Sequence, residues 1–288
     1  MNRLSPEKRC RVVAALVEGN SIRSTVRMTG VAKNTVTKLL CDLGAACEAF
    51  SDRALRDLPC SLVQCDEIWA FVYGKQKNLP PEKRVYGFGD VYTWTAIDAD
   101  TKLVPCWLVG QRDAPHAYMF VRDLASRLRN RIQLSTDGLH VYLKAVDSAF
   151  EGEIDYAQVH KIYGPGGDRP TEAKYSPPKC VGTKAWRVCG HPDEAEISTS
   201  YVERHNLTIR MGMRRFTRLT NGFSKKIENH AYAVALGLTH YNFCRPHGTL
   251  NVKNGPRVTP AMAAGVADHV WTREELVGIL ERQEACAA

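Results

Sequence analysis

The sequence has no long apolar run, no closely spaced cysteine pair, no internal repeat and no low-complexity segment. A membrane-spanning helix needs about 20 consecutive apolar residues, whereas the longest apolar stretch covers only residues 231–238. Charged side chains, Arg3 and Glu7 among them, interrupt the first residues and argue against a secretory signal. These absences predict a cytoplasmic protein without membrane contact.

The ten cysteines lack the C-x2-C spacing of common zinc sites. With 288 residues, 44% of them hydrophobic, the chain is long enough to bury a sizeable core without disulfide bonds. Cys180, Cys189 and His191 form the only cluster that could hold a metal through thiolates, but their spacing fits no common zinc site. We therefore expect reduced thiols, most of them buried.

The net charge of +8 is concentrated in two blocks. Residues 1–46 contain eight Lys or Arg against three acids, and residues 203–257 contain ten against two, so the rest of the chain carries −5. Two basic blocks suit a protein that contacts a polyanion at two places. Basic surface exposed only to solvent would have the same composition.

Residues 1–46 have the pattern of three short helices. Ser21 is placed to cap the second, and Gly30 allows the tight turn before the third, as in a helix-turn-helix. A protein-contact module is the alternative. As a DNA-binding domain, the third helix would present five side chains to the major groove: Lys33, Asn34, Thr35, Thr37 and Lys38.

From residue 60 the pattern changes to apolar and alternating runs separated by turns and helices. Their order is strand, strand, strand, helix, strand, helix, strand. This order predicts an α/β fold with a mixed sheet flanked by helices, the ribonuclease-H-like arrangement, although other α/β folds share it. The expected strands are 61–72, 91–98, 102–110, 131–136 and 154–160, and the expected helices are 115–129, 141–150, one from 199 and one over 273–284.

Two acidic positions stand out within the strands. Asp137 ends an apolar strand beside a glycine, where open α/β sheets place ligands. Asp66 and Glu67 lie inside an apolar strand, where a carboxylate is costly unless it is paired or bound to metal. Because side chains alternate along a strand, we expect only one of these two to serve a site, and the pattern does not say which. Asp90, Asp98 and Asp113 are alternatives at strand ends and turns.

Glu203 lies on a predicted helix with Asn206, Arg210 and Arg214 along one stripe. One carboxylate followed by amide and guanidinium groups suits a metal ligand beside phosphate contacts. An ordinary solvated basic helix would show the same stripe.

Several short motifs resemble those of bacterial insertion-sequence transposases, in particular the family named after the first-described insertion sequence. The resemblance covers roughly residues 1–262. The motifs are Cys-Asp-Glu-Ile-Trp (65–69), Ser-Thr-Asp-Gly (135–138), Val-Glu-Arg-His-Asn (202–206), Arg-Met-Gly-Met-Arg-Arg (210–215), Thr-Asn-Gly-Phe-Ser-Lys-Lys (220–226), Tyr-Asn-x2-Arg-Pro-His (241–247) and Thr-Pro-Ala (259–261).

The resemblance implies a DDE metal triad of Asp66, Asp137 and Glu203, and it selects Asp66 over Glu67. It implies Mg2+ as the cofactor, two ions per site, with Mn2+ able to substitute. Two features depart from the family: no zinc-binding segment precedes the predicted helix-turn-helix, and the 137–203 spacing is longer than in many DDE enzymes. Further DNA contacts are expected from Asn206, Arg210, Arg214, Arg215, Lys225 and Lys226.

The predicted function is a transposase that cuts DNA at the ends of a mobile element and joins them to target DNA. Its partners would be the terminal inverted repeats, the target duplex and further copies of the chain, in a homodimer or larger assembly associated with the bacterial nucleoid. The alternatives are a nuclease of the same fold without strand transfer and a non-catalytic helix-turn-helix regulator.

The predicted organisation has four parts. They are a helix-turn-helix domain (1–46), a linker (47–59), a catalytic domain (60–262) and a C-terminal helix (263–288). Residues 164–192 contain ten glycines and prolines and are expected to form a loop inserted in the catalytic domain.

Overall fold

The fold is a mixed sheet with helices on both faces. A computed structural model describes residues 4–164, 180–217, 221–251 and 255–286 of the chain. The six strands hydrogen-bond in the order β3-β2-β1-β4-β5-β6. They are β1 (Leu62–Val72), β2 (Gly89–Asp98), β3 (Trp107–Gly110), β4 (Gln133–Asp137), β5 (Asp155–Tyr163) and β6 (Cys180–Cys189).

The strand directions match the sequence prediction of a ribonuclease-H-like arrangement. Strands β1, β2 and β3 form an antiparallel meander, β4 and β5 run parallel to β1, and β6 returns antiparallel to β5. In the parallel register, Cys65 lies beside Thr136. The residues that follow these two, Asp66 and Asp137, are therefore brought to the same level of the sheet.

The helices are bounded largely where the sequence predicts them, and α5 has the predicted bounds. They are α1 (Pro6–Val17), α2 (Ile22–Thr29), α3 (Lys33–Ala54), α4 (Ala114–Arg127), α5 (Val141–Phe150), α6 (Ser200–Gly212), α7 (Ile227–Phe243), α8 (Pro260–Ala263) and α9 (Arg273–Cys286). None of the helices in the described ranges is long and apolar enough to cross a membrane.

Side-chain caps fix several of these helix starts. The Ser21 hydroxyl accepts a hydrogen bond from the Ser24 amide at 3.1 Å at the start of α2. The Asp113 carboxylate accepts one from the His116 amide, also at 3.1 Å, at the start of α4. Such caps satisfy amides that have no partner within the helix. Gly30 ends α2 in the left-handed region, with φ of 69°, as the predicted tight turn requires.

The predicted linker, 47–59, is helical over most of its length. Helix α3 runs on to Ala54 because its buried stripe continues beyond the third-helix pattern through Cys47 and Ser51. The Ser51 hydroxyl lies 3.1 Å from that of Thr239 on α7, so a polar residue is satisfied inside this interface. The charged residues of this part of the helix, Glu48, Asp52 and Arg53, are exposed.

The N-terminal helices share a hydrophobic core with the C-terminal part of the chain. Val36, Leu40 and Leu43 pack in one cluster with Leu236 of α7 and Leu276 of α9. The boundaries predicted at 46 and 263 therefore separate segments that share one hydrophobic core. Whether the N-terminal helices fold as a domain on their own stays a prediction.

The predicted loop at 164–192 is partly a strand. Its residues 165–179 lie outside the described ranges, but residues 180–189 form β6. Nine of the ten glycines and prolines of the segment lie outside β6. The high glycine and proline content of residues 164–192 as a whole therefore did not show that residues 180–189 form a strand. The strand adds to the edge of the sheet that β5 leaves open.

Strand β3 begins at Trp107, five residues later than predicted. The Asn242 side chain takes the place of a neighbouring strand here, since it accepts from the Val104 amide at 3.0 Å and donates to the Val104 carbonyl at 2.9 Å. The apolar run therefore continues in the core without being part of the ladder.

Close packing of α3 against α7 predicts a large effect of a single methyl group. A Cβ added at Gly44 would lie 2.4 Å from the Tyr232 carbonyl oxygen, and backbone cannot move aside as a side chain can. Gly44→Ala is expected to lower the free energy of unfolding by about 1–3 kcal/mol, measured by urea denaturation. Gly278→Ala on α9 is the matched control, because its Cβ would meet only the tip of Arg282, and it should be neutral or stabilising by up to about 1 kcal/mol. Equal effects of the two substitutions would contradict this account.

Candidate active site at the sheet edge

Asp66 lies on β1 and is fastened to helix α6. Its Oδ1 accepts from the Glu67 amide at 2.8 Å, and its Oδ2 accepts from Asn206 Nδ2 at 2.7 Å. Burial, together with repulsion from Asp137, raises the pKa of the Asp66 carboxyl to about 6. The hydrogen bonds therefore fix the orientation of this carboxylate, while burial and the nearby negative charge disfavour its ionised form.

Asp137 is the last residue of β4, as the sequence predicts. Its Oδ1 accepts from the Leu139 amide at 3.0 Å, which fixes the side chain over the turn. The next residue, Gly138, leaves room for a neighbouring side chain, since a Cβ there would lie 2.6 Å from the His160 ring. The Asp-Gly pair thus allows His160 to approach the end of β4 closely.

Glu67 also reaches the site, contrary to the expectation that only one member of the pair could. Asp66, Glu67 and Asp137 each offer a carboxylate oxygen, and these three oxygens all lie within 4.8 Å of one another. The alternation argument fails because β4 ends at Asp137, where a carboxylate at the sheet edge is within reach of both faces of β1. The sequence feature that pointed to both acids was their adjacent position within an apolar strand.

The Glu67 side chain is only 1% exposed. Its Oε2 accepts from Arg112 Nε at 2.9 Å, and Arg112 Nη2 also donates to Asp137 Oδ2 at 3.3 Å. The other oxygen, Oε1, is buried beside Tyr142 and makes no well-formed hydrogen bond to any described residue. Burial and the nearby Asp137 raise the pKa of Glu67 to about 7. Arg112, which the sequence analysis did not select, therefore bridges two of the three acids.

Glu203 lies in the first turn of α6, beside this group of three acids and outside it. Its Oε1 accepts from the Thr199 hydroxyl at 2.5 Å, and its Oε2 forms an ion pair with Lys161 Nζ at 2.6 Å. Lys161 comes from β5 and was also missed, because no local pattern marks a single lysine on a strand. Glu203 is close enough to Asp66 for its charge to help raise the pKa of that residue.

The predicted basic stripe beyond Glu203 is divided by the end of α6 at Gly212. Asn206 is buried against Asp66, and Arg210 is half-buried. Arg214 lies past the helix and is exposed. Arg215 donates from Nε to the Ser224 hydroxyl at 2.7 Å, and burial lowers its pKa to about 10. Lys225 and Lys226 are both exposed.

The residues predicted to face a major groove lie on the first turns of α3. Lys33, Asn34 and Lys38 are exposed, while Thr35 and Thr37 are half-buried. The Thr37 hydroxyl donates to the Lys33 carbonyl at 3.0 Å, and Lys38 forms an ion pair with Asp42 at 2.6 Å.

The three alternative acids have structural contacts. Asp98 is buried and accepts from the Thr101 amide at 2.9 Å. Asp113 caps α4, and Asp90 accepts from the Gln76 amide at 3.0 Å. Cys180 and Cys189 lie at opposite ends of β6, so they do not form one metal site with His191.

Two motifs that are far apart in the sequence support each other behind the site. His205, which precedes Asn206, is 3% exposed, and its ring packs edge-on against Tyr241 with centroids 4.5 Å apart. Burial lowers the pKa of His205 to about 3, so the ring is neutral. The Tyr241 hydroxyl donates to the Lys102 carbonyl at 3.0 Å. Helix α6 is thereby held against α7.

The acidic group fits a hard divalent cation. Carboxylate oxygens are the ligands that Mg2+ and Mn2+ prefer. Burial and the nearby charge of Asp137 raise the pKa values of Asp66 and Glu67, and the buried Glu67 Oε1 lacks a well-formed partner among the described residues. A cation would relieve both conditions. Asp66, Glu67 and Asp137 are placed to hold it, with Glu203 and Asn206 at the margin.

The raised pKa of Asp66 predicts a pH effect on stability in metal-free buffer. The pKa of Asp66 is about 6 in the folded state, against an ordinary value of 3.8, so the folded state binds this proton more tightly than the unfolded state does. The resulting stabilisation of the fold is fully present below about pH 4 and is lost as pH rises through about 6. Asp66→Asn should remove about 2 kcal/mol of this pH-dependent loss, measured by urea unfolding between pH 4 and 8. The same slope in both proteins would show that burial does not perturb this carboxyl.

Part of the chain is similar to a known protein family. Residues 85–183 match the family model of a DDE domain, of the IS240 type of insertion-sequence transposase. The matched segment is about a third of the chain and contains Asp137. The narrower assignment, to the family named after the first-described insertion sequence, stays a prediction. No curated protein matches the sequence.

Three solved structures show weak likeness. A piggyBac transposase synaptic complex with hairpin DNA is 10% identical, with a TM-score of 0.45, over 98% of this chain and 73% of that one. A Mos1 paired-end complex with the left transposon end is 14% identical (TM-score 0.23; 54% and 60% covered). A Mos1 mariner paired-end complex with Mn is 14% identical (TM-score 0.26; 83% and 78% covered). Residues 85–183 are thus similar to the DDE domain of insertion-sequence transposases.

Proposed function

We propose that the protein is a transposase that cuts DNA at the ends of a mobile element and joins the freed ends to target DNA. The observation that carries the proposal is the convergence of Asp66 and Asp137 from adjacent parallel strands at one sheet edge, beside Glu203 of α6. The DDE-domain match over 85–183 supports the same chemistry.

In this proposal Asp66, Asp137 and Glu203 are the metal-binding triad, and Glu67 supports them. Two Mg2+ ions, for which Mn2+ can substitute, would neutralise charge on the phosphate and favour ionisation of the attacking hydroxyl. Lys161 must release the Glu203 carboxylate for it to serve as a ligand, since the two are now ion-paired at 2.6 Å. Asn206 holds Asp66 in place and is a positioning residue.

The two reaction steps are both phosphoryl transfers. In the first, water attacks the phosphodiester at the element's end, and the P–O bond to the 3′ oxygen breaks, leaving a 3′-hydroxyl. In the second, that hydroxyl attacks a phosphodiester of the target, and one P–O bond forms as another breaks. No oxidant or covalent enzyme intermediate is required.

Two surfaces would hold the DNA. Arg214, Lys225 and Lys226 are exposed cations near the end of α6 and the start of α7, and they suit contacts to phosphates. The first turns of α3, from Lys33 to Lys38, would read the terminal inverted repeats in the major groove. Two element ends must be held together, which calls for a homodimer or a larger assembly.

The test is a strand-transfer assay with Mg2+, a duplex carrying the element's own ends, and supercoiled plasmid. Asp137→Asn should reduce the joined product by roughly 100-fold or more, because losing even a residue that supports a metal ligand costs about 10- to 100-fold. Asp147→Asn, which changes an exposed acid on α5, is the matched control and should retain activity.

The alternatives give different products. A nuclease of the same fold would yield cleaved DNA without joined product, and a non-catalytic regulator would bind the ends equally well with Asn at position 137. A thermal shift on adding Mg2+ to the wild type, absent from Asp137→Asn, would separate loss of metal from loss of chemistry. Joining that survives Asp137→Asn would refute the proposal.

The adjacent arginines 214 and 215 predict opposite phenotypes. Arg214→Ala should weaken DNA binding and reduce the slope of log affinity against log salt by about 0.9, as expected for one lost phosphate contact. Arg215→Ala should instead lower the free energy of unfolding, since Arg215 is half-buried and bonded to Ser224. Salt-dependent binding titrations and urea unfolding of both variants are the measurements. The assignment fails if Arg214→Ala leaves the salt slope unchanged.

A further inference from the structure

The second half of β1 has its aromatic residues on the less buried face. Ile68, Ala70 and Val72 are 0–2% exposed and pack under α6 and α7. Trp69 and Phe71, on the opposite face, are only half-buried. Large aromatic side chains normally occupy the better-buried face of a strand. Their placement here calls for a partner on the open side.

Four such residues form a contiguous surface, here termed the aromatic platform: Trp69, Phe71, Tyr92 and Phe223. The Trp69 and Phe71 rings are 5.8 Å apart, and those of Phe71 and Phe223 are 5.1 Å apart. Tyr92 lies directly opposite Trp69 on β2. The chain at Phe223 is tied to the sheet, since the Tyr73 amide donates to the Ser224 carbonyl at 2.8 Å.

Cations border the aromatic platform. Lys75 Nζ lies 5.9 Å from the centre of the Trp69 ring, and Arg112 Cζ lies 6.0 Å from that of Tyr92. Residues 73–88, which connect β1 to β2, contain four Lys or Arg and one acid. Lys225 and Lys226, which follow Phe223 closely, are exposed. Asp90, opposite Phe71, is an acid at the far end of the platform.

The platform is continuous with the acidic site. Glu67, Trp69 and Phe71 lie on one face of β1, where successive residues on the same face are about 7 Å apart. Arg112 joins the two regions, because it bonds Glu67 and Asp137 and also lies over Tyr92. A strand leaving the acids along β1 would therefore pass over the rings.

We infer that the aromatic platform binds unpaired nucleotides of the DNA strand next to the acidic site, with the bases stacked on Trp69 and its neighbours. Half-exposed aromatic rings bordered by cations are the combination that binds single-stranded nucleic acid without sequence preference. Paired bases have their faces covered by neighbouring pairs, so only unpaired ones can stack here. The inference rests on the proposed function, since it requires DNA at the acidic site.

A second protein copy is the less suitable occupant. Protein interfaces are depleted in lysine, whereas Lys75 lies beside the Trp69 ring and the exposed Lys225 and Lys226 closely follow Phe223 in the sequence. A protein partner would also leave unexplained why the rings continue directly from the acids. Under the inference, stacking keeps a strand end beside the carboxylates after its complement has separated.

The test compares two DNA probes in metal-free buffer, where no cleavage occurs. One is a short duplex with a few unpaired 3′ nucleotides, one of them 2-aminopurine, and the other is the same duplex fully paired. Wild-type protein should prefer the unpaired probe and quench its fluorescence. Trp69→Leu should reduce this preference roughly tenfold while leaving affinity for the paired duplex unchanged, and Trp69→Phe should retain most of it. Tyr118→Leu, an exposed aromatic of α4, is the matched control and should behave as wild type.

Several outcomes would overturn the inference. These are a wild type without preference for the unpaired probe, a Trp69→Leu variant that keeps the full preference, and equal loss of affinity for both probes. A variant that alters the oligomeric state at constant DNA preference would assign the platform to a protein interface instead. Failure of the proposed function is read separately in the strand-transfer assay, where the wild type would then give no joined product whatever its preference between the two probes.

Discussion

Mutual repulsion among carboxylates at one edge of the sheet is the constraint on which the surrounding structure depends. The acids are held by partners from three elements: Asn206 of α6 holds Asp66, Arg112 after β3 holds both Glu67 and Asp137, and Lys161 of β5 holds Glu203. These partners offset part of the repulsion among the negative charges. The site thus collects contacts from several elements of the fold.

The uncharged contacts behind the acids also come from several elements. His205 and Tyr241 pack together between α6 and α7, and Asn242 completes the hydrogen bonds of Val104 beside the end of β2. These residues belong to motifs that resemble transposase sequences, yet their contacts here are with core and backbone. Recurrent polar residues in such motifs can therefore serve the scaffold that holds α6 in place.

The elements with strong periodicity were predictable from the sequence, and α5 and the end of β4 at Asp137 show this. The site was only partly predictable, because Arg112, Lys161 and Glu67 act through contacts between residues distant in sequence. Alternation along β1 correctly places Asp66 and Glu67 on opposite faces of the strand. It does not show that the neighbouring strand β4 ends at Asp137, where both acids come within reach of the same carboxylate. Similarly, the helical stripe from Glu203 to Arg214 assumed a helix that in fact ends at Gly212. The roles of the triad and of the DNA-contacting residues stay predictions.

Helix α3 has 22 residues, so it is about 33 Å long. One end carries the exposed Lys33 and Asn34, and the remainder is embedded against α7 and α9. A rod fixed in this way allows little rotation of its free end relative to the sheet. Under the proposed function it would act as a molecular ruler: the distance along DNA between the recognised sequence and the cut bond would be set by helix length, and inserting a turn into α3 would move one relative to the other.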